Sequence, residues 1–134
     1  MIIDAEDAVM GRLASTTAKK LLSGEEIIIV NADKAVISGT NKVVGHRYFM
    51  KRGRGDGLHG PYIHRPTDKI IFRAIRGMIP YKIARGREAL KRLKIFTGCP
   101  VQYKNAEKII KTSDKLRCRY VSMKDVSKMM GGKP

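Results

Sequence analysis

Apolar residues recur along this chain in more than one rhythm. Met1–Asp4 is a short apolar run suited to a strand. Glu6 and Asp7 then precede AVMGRLASTTAKKLL, where Val9, Met10, Leu13, Ala14, Thr17, Ala18, Leu21 and Leu22 repeat at three and four residues. That spacing predicts one face of an amphipathic helix, with acids in its first turn, lysines in its last and Gly24 as its stop. Ile27-Ile28-Ile29-Val30 follows a different rule. Four consecutive β-branched residues bounded by Asn31-Ala32-Asp33 predict a strand buried on both faces.

The same reading places short strands at Ala35–Ile37, Lys94–Thr97 and Leu116–Val121, and helices at Asn41–Met50, Ala84–Leu93 and Asp125–Met130. A further helix is expected from Thr67, acting as its cap, to Gly77, with Ile70, Ile71, Ala74 and Ile75 on its core face. Strands alternating with helices around a solidly apolar strand predict an α/β three-layer sandwich on a mostly parallel sheet. One stretch follows neither period. KRGRGDGLHGPYIHR, Lys51 to Arg65, holds four glycines, four Lys/Arg and two histidines. It is readable as a phosphate cradle, a metal site, an adhesion tripeptide (Arg54-Gly55-Asp56) or an arm laid on nucleic acid.

Size and charge narrow those choices. A chain of 134 residues with 43% apolar content is expected to fold as one domain. Its core spans about 1–100 and a basic carboxy-terminal extension covers about 101–134. The longest apolar run, Ile27–Val30, is too short to cross a bilayer. The opening MIIDAEDAV lacks the pattern of a secretory leader. Cys99 and Cys118 make no disulfide framework, so a cytoplasmic protein with reduced thiols is expected. Net charge is +16 and unevenly spread. Residues 1–40 hold four Lys/Arg against six Asp/Glu, and residues 41–134 hold twenty-four against six. The second segment cannot neutralise itself, which implies a polyanionic partner, nucleic acid before an anionic membrane or acidic protein.

Catalytic and cofactor chemistry find little support. The first strand-to-helix turn, DAEDAVMGRLA, offers one glycine and three acids where a dinucleotide site needs glycines facing pyrophosphate. No P-loop pattern occurs; Gly39-Thr40-Asn41-Lys42 is only an echo of one. His46, His59, His64 and the cysteines lack zinc spacing, so neither a metal nor any other cofactor is expected. No nucleophile, base and orienting group are brought together.

Two helices carry the positive chemistry. Lys69, Arg73 and Arg76 line one side of the helix from 67 at i, i+4 and i+7. Arg87, Lys91 and Lys94 repeat that spacing from 84 onward, beside the apolar stripe of Ile83, Leu90 and Leu93 running through Gly86. Arg85 and Arg92 occupy another flank, and Glu88 is the one acid nearby. Helices apolar on one side and cationic elsewhere suit phosphates. In the glycine-rich stretch, Lys51, Arg52, Arg54 and Arg65 supply charge, His59 and His64 hydrogen bonds, and the glycines close backbone approach. Arg47, on the preceding helix, joins that set. With 6% aromatics and no Trp, single-strand stacking is poorly supplied, which favours a folded RNA read by shape.

Three blocks resemble a known family: DAEDAVMGRLAS, IIIVNADKAVISG, and RGMIPYKIARGREALKRLKIFTGCP at 76–100. Together they are similar to the universal large-subunit ribosomal proteins numbered thirteen, of archaeal or eukaryotic type, over roughly residues 2–100. The resemblance implies a four-stranded parallel sheet with helices on both faces. It also implies a non-catalytic role binding ribosomal RNA in large-subunit assembly and translation, among neighbouring ribosomal proteins. It would place Arg76, Lys82, Arg85, Arg87, Lys91, Arg92 and Lys94 against RNA. It does not reach residues 101–134, and the glycine loop differs from the bacterial form. The competing expectation is a nucleotide-binding α/β enzyme, which saturating nucleotide would stabilise.

Overall fold

The chain runs β1 (Ile2–Asp4), α1 (Met10–Leu22), β2 (Ile27–Val30), β3 (Val36–Ser38), α2 (Asn41–Gly53), α3 (Thr67–Gly77), α4 (Ala84–Lys91), β4 (Leu93–Ile95), β5 (Tyr120–Ser122) and α5 (Met123–Met129). Single 3-10 turns lie at Ala32–Lys34 and Val101–Tyr103. These elements come from a computed structural model that describes residues 1–103, 106–107 and 116–132.

The sheet is parallel, in the order β1-β2-β4. β2 sits in the middle, pairing Ile28 with Ile2 on one side and with Lys94 on the other. Its four β-branched residues explain the position. Ile27, Ile29 and Val30 are fully buried and Ile28 is partly so, which suits only a strand covered on both sides.

β3 does not join this sheet. It pairs antiparallel with β5, Ile37 opposite Val121. The cause lies at Asn31, which adopts a left-handed conformation (φ 55°) and leads into the 3-10 turn. That turn is fastened to the chain beyond β4: the Asn31 and Ala32 N–H groups donate to Gly98 O and Phe96 O, both at 3.1 Å. The expected four-stranded parallel sheet is therefore three strands and a separate antiparallel pair among the described residues. At the outer edge of β1, Glu107 makes a parallel bridge to Ile3, with Asp4 N donating to Glu107 O at 3.1 Å and Glu107 N to Ile2 O at 3.3 Å.

The helices follow the predicted faces with corrected ends. Leu13, Ala14, Thr17, Ala18 and Leu21 of α1 are buried, as are Ile70, Ile71 and Ile75 of α3, and the two helices pack together. However, Glu6 and Asp7 lie outside α1. Asp7 has φ 57°, and Ala8 O accepts from Val36 N, so the backbone there is committed to a turn and a bridge. Thr67 is not a cap either. Pro66 holds the extended capping conformation, and Thr67 is the first helical residue, 6% exposed. α5 has a capped start: Ser122 Oγ accepts from Asp125 N at 3.1 Å and donates to Asp125 Oδ2 at 2.7 Å.

Val121, Met123, Val126 and Met130 lie in the same core as Ile3, Leu13 and Ile71. The last elements are thus packed into the body built by the first hundred residues. Arg52 and Arg65 tie them down by donating to Met130 O (2.9 Å) and Gly131 O (3.4 Å) at the carboxyl end of α5.

Candidate nucleic-acid interface

Among the described residues, the lysine and arginine charge beyond Thr40 has no carboxylate partner. Among the described residues, the ion pairs within 4.0 Å are Lys34–Glu6 at 2.6 Å and His59–Asp56 at 3.1 Å. No described lysine or arginine after residue 40 is matched to a carboxylate, Glu88 included.

The predicted cations are also outside. Arg47, Lys51, Arg52, Arg54, His59, His64, Arg65, Lys69, Arg73, Lys82, Arg85, Arg87, Lys91 and Lys94 are exposed, while Arg76 and Arg92 are half-buried. Burial of Ile70, Ile71 and Ile75 turns Lys69 and Arg73 to water on α3. On α4, Gly86 and Ala89 face inward and leave Arg87 and Lys91 free.

The fold gathers part of this set. Lys51 from α2, His64 from the loop and Lys69 and Arg73 from α3 line one cleft of about 280 Å³, together with Tyr48. A neighbouring cleft of about 270 Å³ adds Phe72 and Arg76 to His64, Lys69 and Arg73. The cationic side of α3 and the far end of the glycine loop therefore make one surface. Burial pushes the Tyr48 phenol up and keeps it neutral beside Lys51, whose Nζ lies 5.3 Å from the ring centroid. Arg87 and Lys91 line neither cleft and belong to a second surface on α4, continued by Lys94 on β4.

Some cations also serve the fold, which sequence spacing does not show. Arg92 Nη2 donates to Leu21 O at 3.0 Å, and Arg85 Nη2 to Leu22 O at 3.3 Å. Both reach the carboxyl end of α1, where carbonyls lack helical partners and the dipole favours positive charge. The Arg92 Nε is buried without a partner. Arg73 donates to Tyr62 O at 3.0 Å and so fastens the loop to α3. An arginine has five N–H donors, so one bond to a carbonyl still leaves an exposed guanidinium able to meet a phosphate.

The glycine-rich stretch has more structure than its composition suggests. Lys51, Arg52 and Gly53 complete α2, beyond the expected end at Met50. Asp56 and Gly60 then exchange two backbone hydrogen bonds, at 3.3 and 2.9 Å, and Tyr62 Oη donates to Gly57 O at 3.0 Å. The His59 hydrogen bond, followed by the Gly57 and Leu58 N–H groups, holds the Asp56 carboxyl below its ordinary range. The loop is a closed hairpin presenting Arg54, His59 and an exposed Leu58.

Two cations outside the predicted set flank a further cleft of about 560 Å³. Lys42 and Arg119 line it with Gly39, Thr40 and Asn41. The phosphate-loop echo at Gly39–Lys42 is the sequence signal that marks this place. Cys99 and Cys118 are free and exposed. Among the described residues no three His, Cys, Asp or Glu side chains converge on a metal site, and no helix is long and apolar enough to cross a membrane.

A family model described as ribosomal protein L13 matches residues 1–102. The chain belongs to the ribosomal protein L13 family. Relatives of the same length agree with this. The protein named large ribosomal subunit protein uL13 from Methanococcoides burtonii is 46% identical over 98% of each chain. Those of the same name from Methanosarcina barkeri and Methanocaldococcus jannaschii are 47% and 42% identical, again over 98% of each. The similarity to these relatives continues past residue 102, into the part of the chain where β5 and α5 supply core.

Proposed function

We propose that this chain is a structural constituent of the large ribosomal subunit that binds ribosomal RNA and supports subunit assembly and translation in the cytoplasm. It works by contact, without catalysis or a cofactor, beside other large-subunit proteins. The carrying observation is the surface of exposed lysines and arginines on α3, α4 and the glycine hairpin, none paired with a carboxylate among the described residues. Such a surface gains most against a polymer of phosphates, whose condensed counterions it displaces. The uL13 relatives, similar over nearly the whole chain, support the same reading.

Within it, the α3 and hairpin cations form one RNA face, and Lys82, Arg85, Arg87, Lys91 and Lys94 form another. Arg92 contributes chiefly by holding α1. The whole chain acts as one domain. A fourth parallel strand on the edge of β1, with helices on both faces, completes the sheet; the Ile3–Glu107 bridge supports that arrangement. The test is sedimentation of cell extract. The protein is expected in large-subunit particles and released from them by nuclease. Recovery only at the top of the gradient would contradict the proposal.

A further inference from the structure

We propose that Tyr81, beside the Arg76 guanidinium, is a stacking platform for one unstacked nucleobase of the bound RNA. This rests on the RNA-binding reading above and deepens it, because none of the predicted site residues is Phe, Tyr or Trp and phosphate contacts alone leave Tyr81 without a role.

The Arg76 guanidinium carbon stands 5.1 Å from the Tyr81 ring centroid, within range of a cation–π contact. Tyr81 is nevertheless 41% exposed, so ring surface remains for a second partner. Arg76 itself is half-buried in the last turn of α3, which limits the directions its side chain takes.

The turn that carries the ring is held from several sides. Met78 N and Ile79 N donate to Ile75 O and Arg76 O at the end of α3 (2.9 and 3.2 Å). Ile79 is buried in the core at 3% exposure. Tyr81 N donates to Ile79 O at 2.7 Å, and Ile83 N to Pro80 O at 3.1 Å. On the far side, Gly86 of α4 lies so close to Pro80 that an added Cβ would overlap the Pro80 carbonyl and stand 3.0 Å from Tyr81 N. Tyr81 is therefore presented on a preformed support, and little ordering entropy is left for binding to supply.

Chemistry selects the ligand. Met78 and Ile83 lie within three residues of Tyr81 in the chain and are 47% and 63% exposed. The same stretch of chain carries Arg76, Lys82, Arg85 and Arg87, and no acid occurs from Lys69 to Arg87. Phosphates are satisfied by the cations and gain nothing from thioether or alkyl surface. A base offers both requirements at once: a flat apolar face for Tyr81, Met78 and Ile83, joined to a phosphate on each side for the cations. Stacking of this kind tolerates any base, since each has a π-face.

The experiment uses the full chain and large-subunit RNA. Irradiation at short ultraviolet wavelength followed by trypsin should leave a nucleotide adduct on the peptide Gly77–Lys82. Affinity is measured in parallel for the unaltered chain, Tyr81→Phe and Tyr81→Leu, each checked for folding by circular dichroism. Tyr81→Phe keeps the ring and should bind within about twofold. Tyr81→Leu should weaken binding about 5- to 150-fold while leaving the salt slope unchanged, because no phosphate contact is removed. Tyr81→Leu binding as tightly as the unaltered chain, or adducts elsewhere but none on Gly77–Lys82, would overturn the stacking site and leave the RNA-binding reading intact. Normal RNA affinity with loss from particles would assign the patch to a protein neighbour and overturn it equally. Failure of the unaltered chain to bind RNA would end both.

Discussion

Gly86 lies against the backbone of Pro80: an added Cβ would overlap that carbonyl and stand 2.5 Å from its carbon. Helix α4 can approach the turn after α3 only because this residue has no side chain. The two cationic helices are thereby held in one fixed relationship, with the turn between them clamped. Gly86→Ala should cost about 1–3 kcal/mol, the usual penalty of overpacking against atoms that cannot move aside. Gly11, also helical, has nothing within 4 Å of its would-be Cβ. Gly11→Ala should instead stabilise by roughly 0.5 kcal/mol through the unfolded chain. Urea unfolding of both variants checks the pair; equal effects would remove the claim of close approach.

Arg92 separates structural from RNA-facing charge. Its guanidinium reaches Leu21 O across the end of α1 while its Nε is buried. Arg92→Met should lower stability by about 1–3 kcal/mol, since it removes a charged donor from a buried carbonyl, and should leave the salt dependence of RNA binding as it was. A drop in the salt slope with stability intact would make Arg92 a phosphate contact instead.

Thr17 is fully buried on α1 with its hydroxyl unpaired. Valine has the same shape without the polar atom. Thr17→Val should raise the unfolding free energy by about 1 kcal/mol, the lower end of what an unsatisfied buried group costs. A destabilisation of that size in thermal melts would show that the hydroxyl is satisfied in solution.

The hairpin should loosen around Asp56 in acid. The Asp56 carboxyl is held below its ordinary range, first by His59 and then by the Gly57 N–H. A depressed folded pKa means the carboxyl's contribution to the closed form is fully present above the unfolded aspartate value and is lost as pH falls through the lowered one. Amide resonances of Gly57 and Leu58 should therefore titrate together below the usual aspartate midpoint, and Asp56→Asn should abolish the titration. A midpoint at or above the ordinary value would contradict the geometry.

What the sequence makes legible follows from which interactions are local. The three-and-four spacing of Ile70, Ile71 and Ile75 is enough to place Lys69 and Arg73 outside, because a helix maps sequence onto faces. Ile27–Val30 announces a central strand because only such a position covers four adjacent apolar side chains. The departure of β3 is less visible. It depends on one left-handed residue, Asn31, and on a partner strand more than eighty residues away. Arg92 and Lys91 sit on different flanks but are both expected against RNA; only the distant end of α1 gives Arg92 its structural role. The hairpin at Asp56–Gly60 rests on two backbone bonds and a tyrosine hydroxyl, none of which leaves a periodic trace. Nothing periodic marks Tyr81, which only the turn after α3 brings to Arg76.

The central claim is that unpaired cations on α3 and α4 face RNA phosphates, and the triple variant Arg87→Gln, Lys91→Gln, Lys94→Gln addresses it most directly. Its affinity for large-subunit RNA, measured across a range of salt beside the unaltered chain, should be lower, with log K against log salt flatter by roughly 2 to 3 units and stability changed by less than about 0.5 kcal/mol. Unchanged affinity and an unchanged slope would contradict the account.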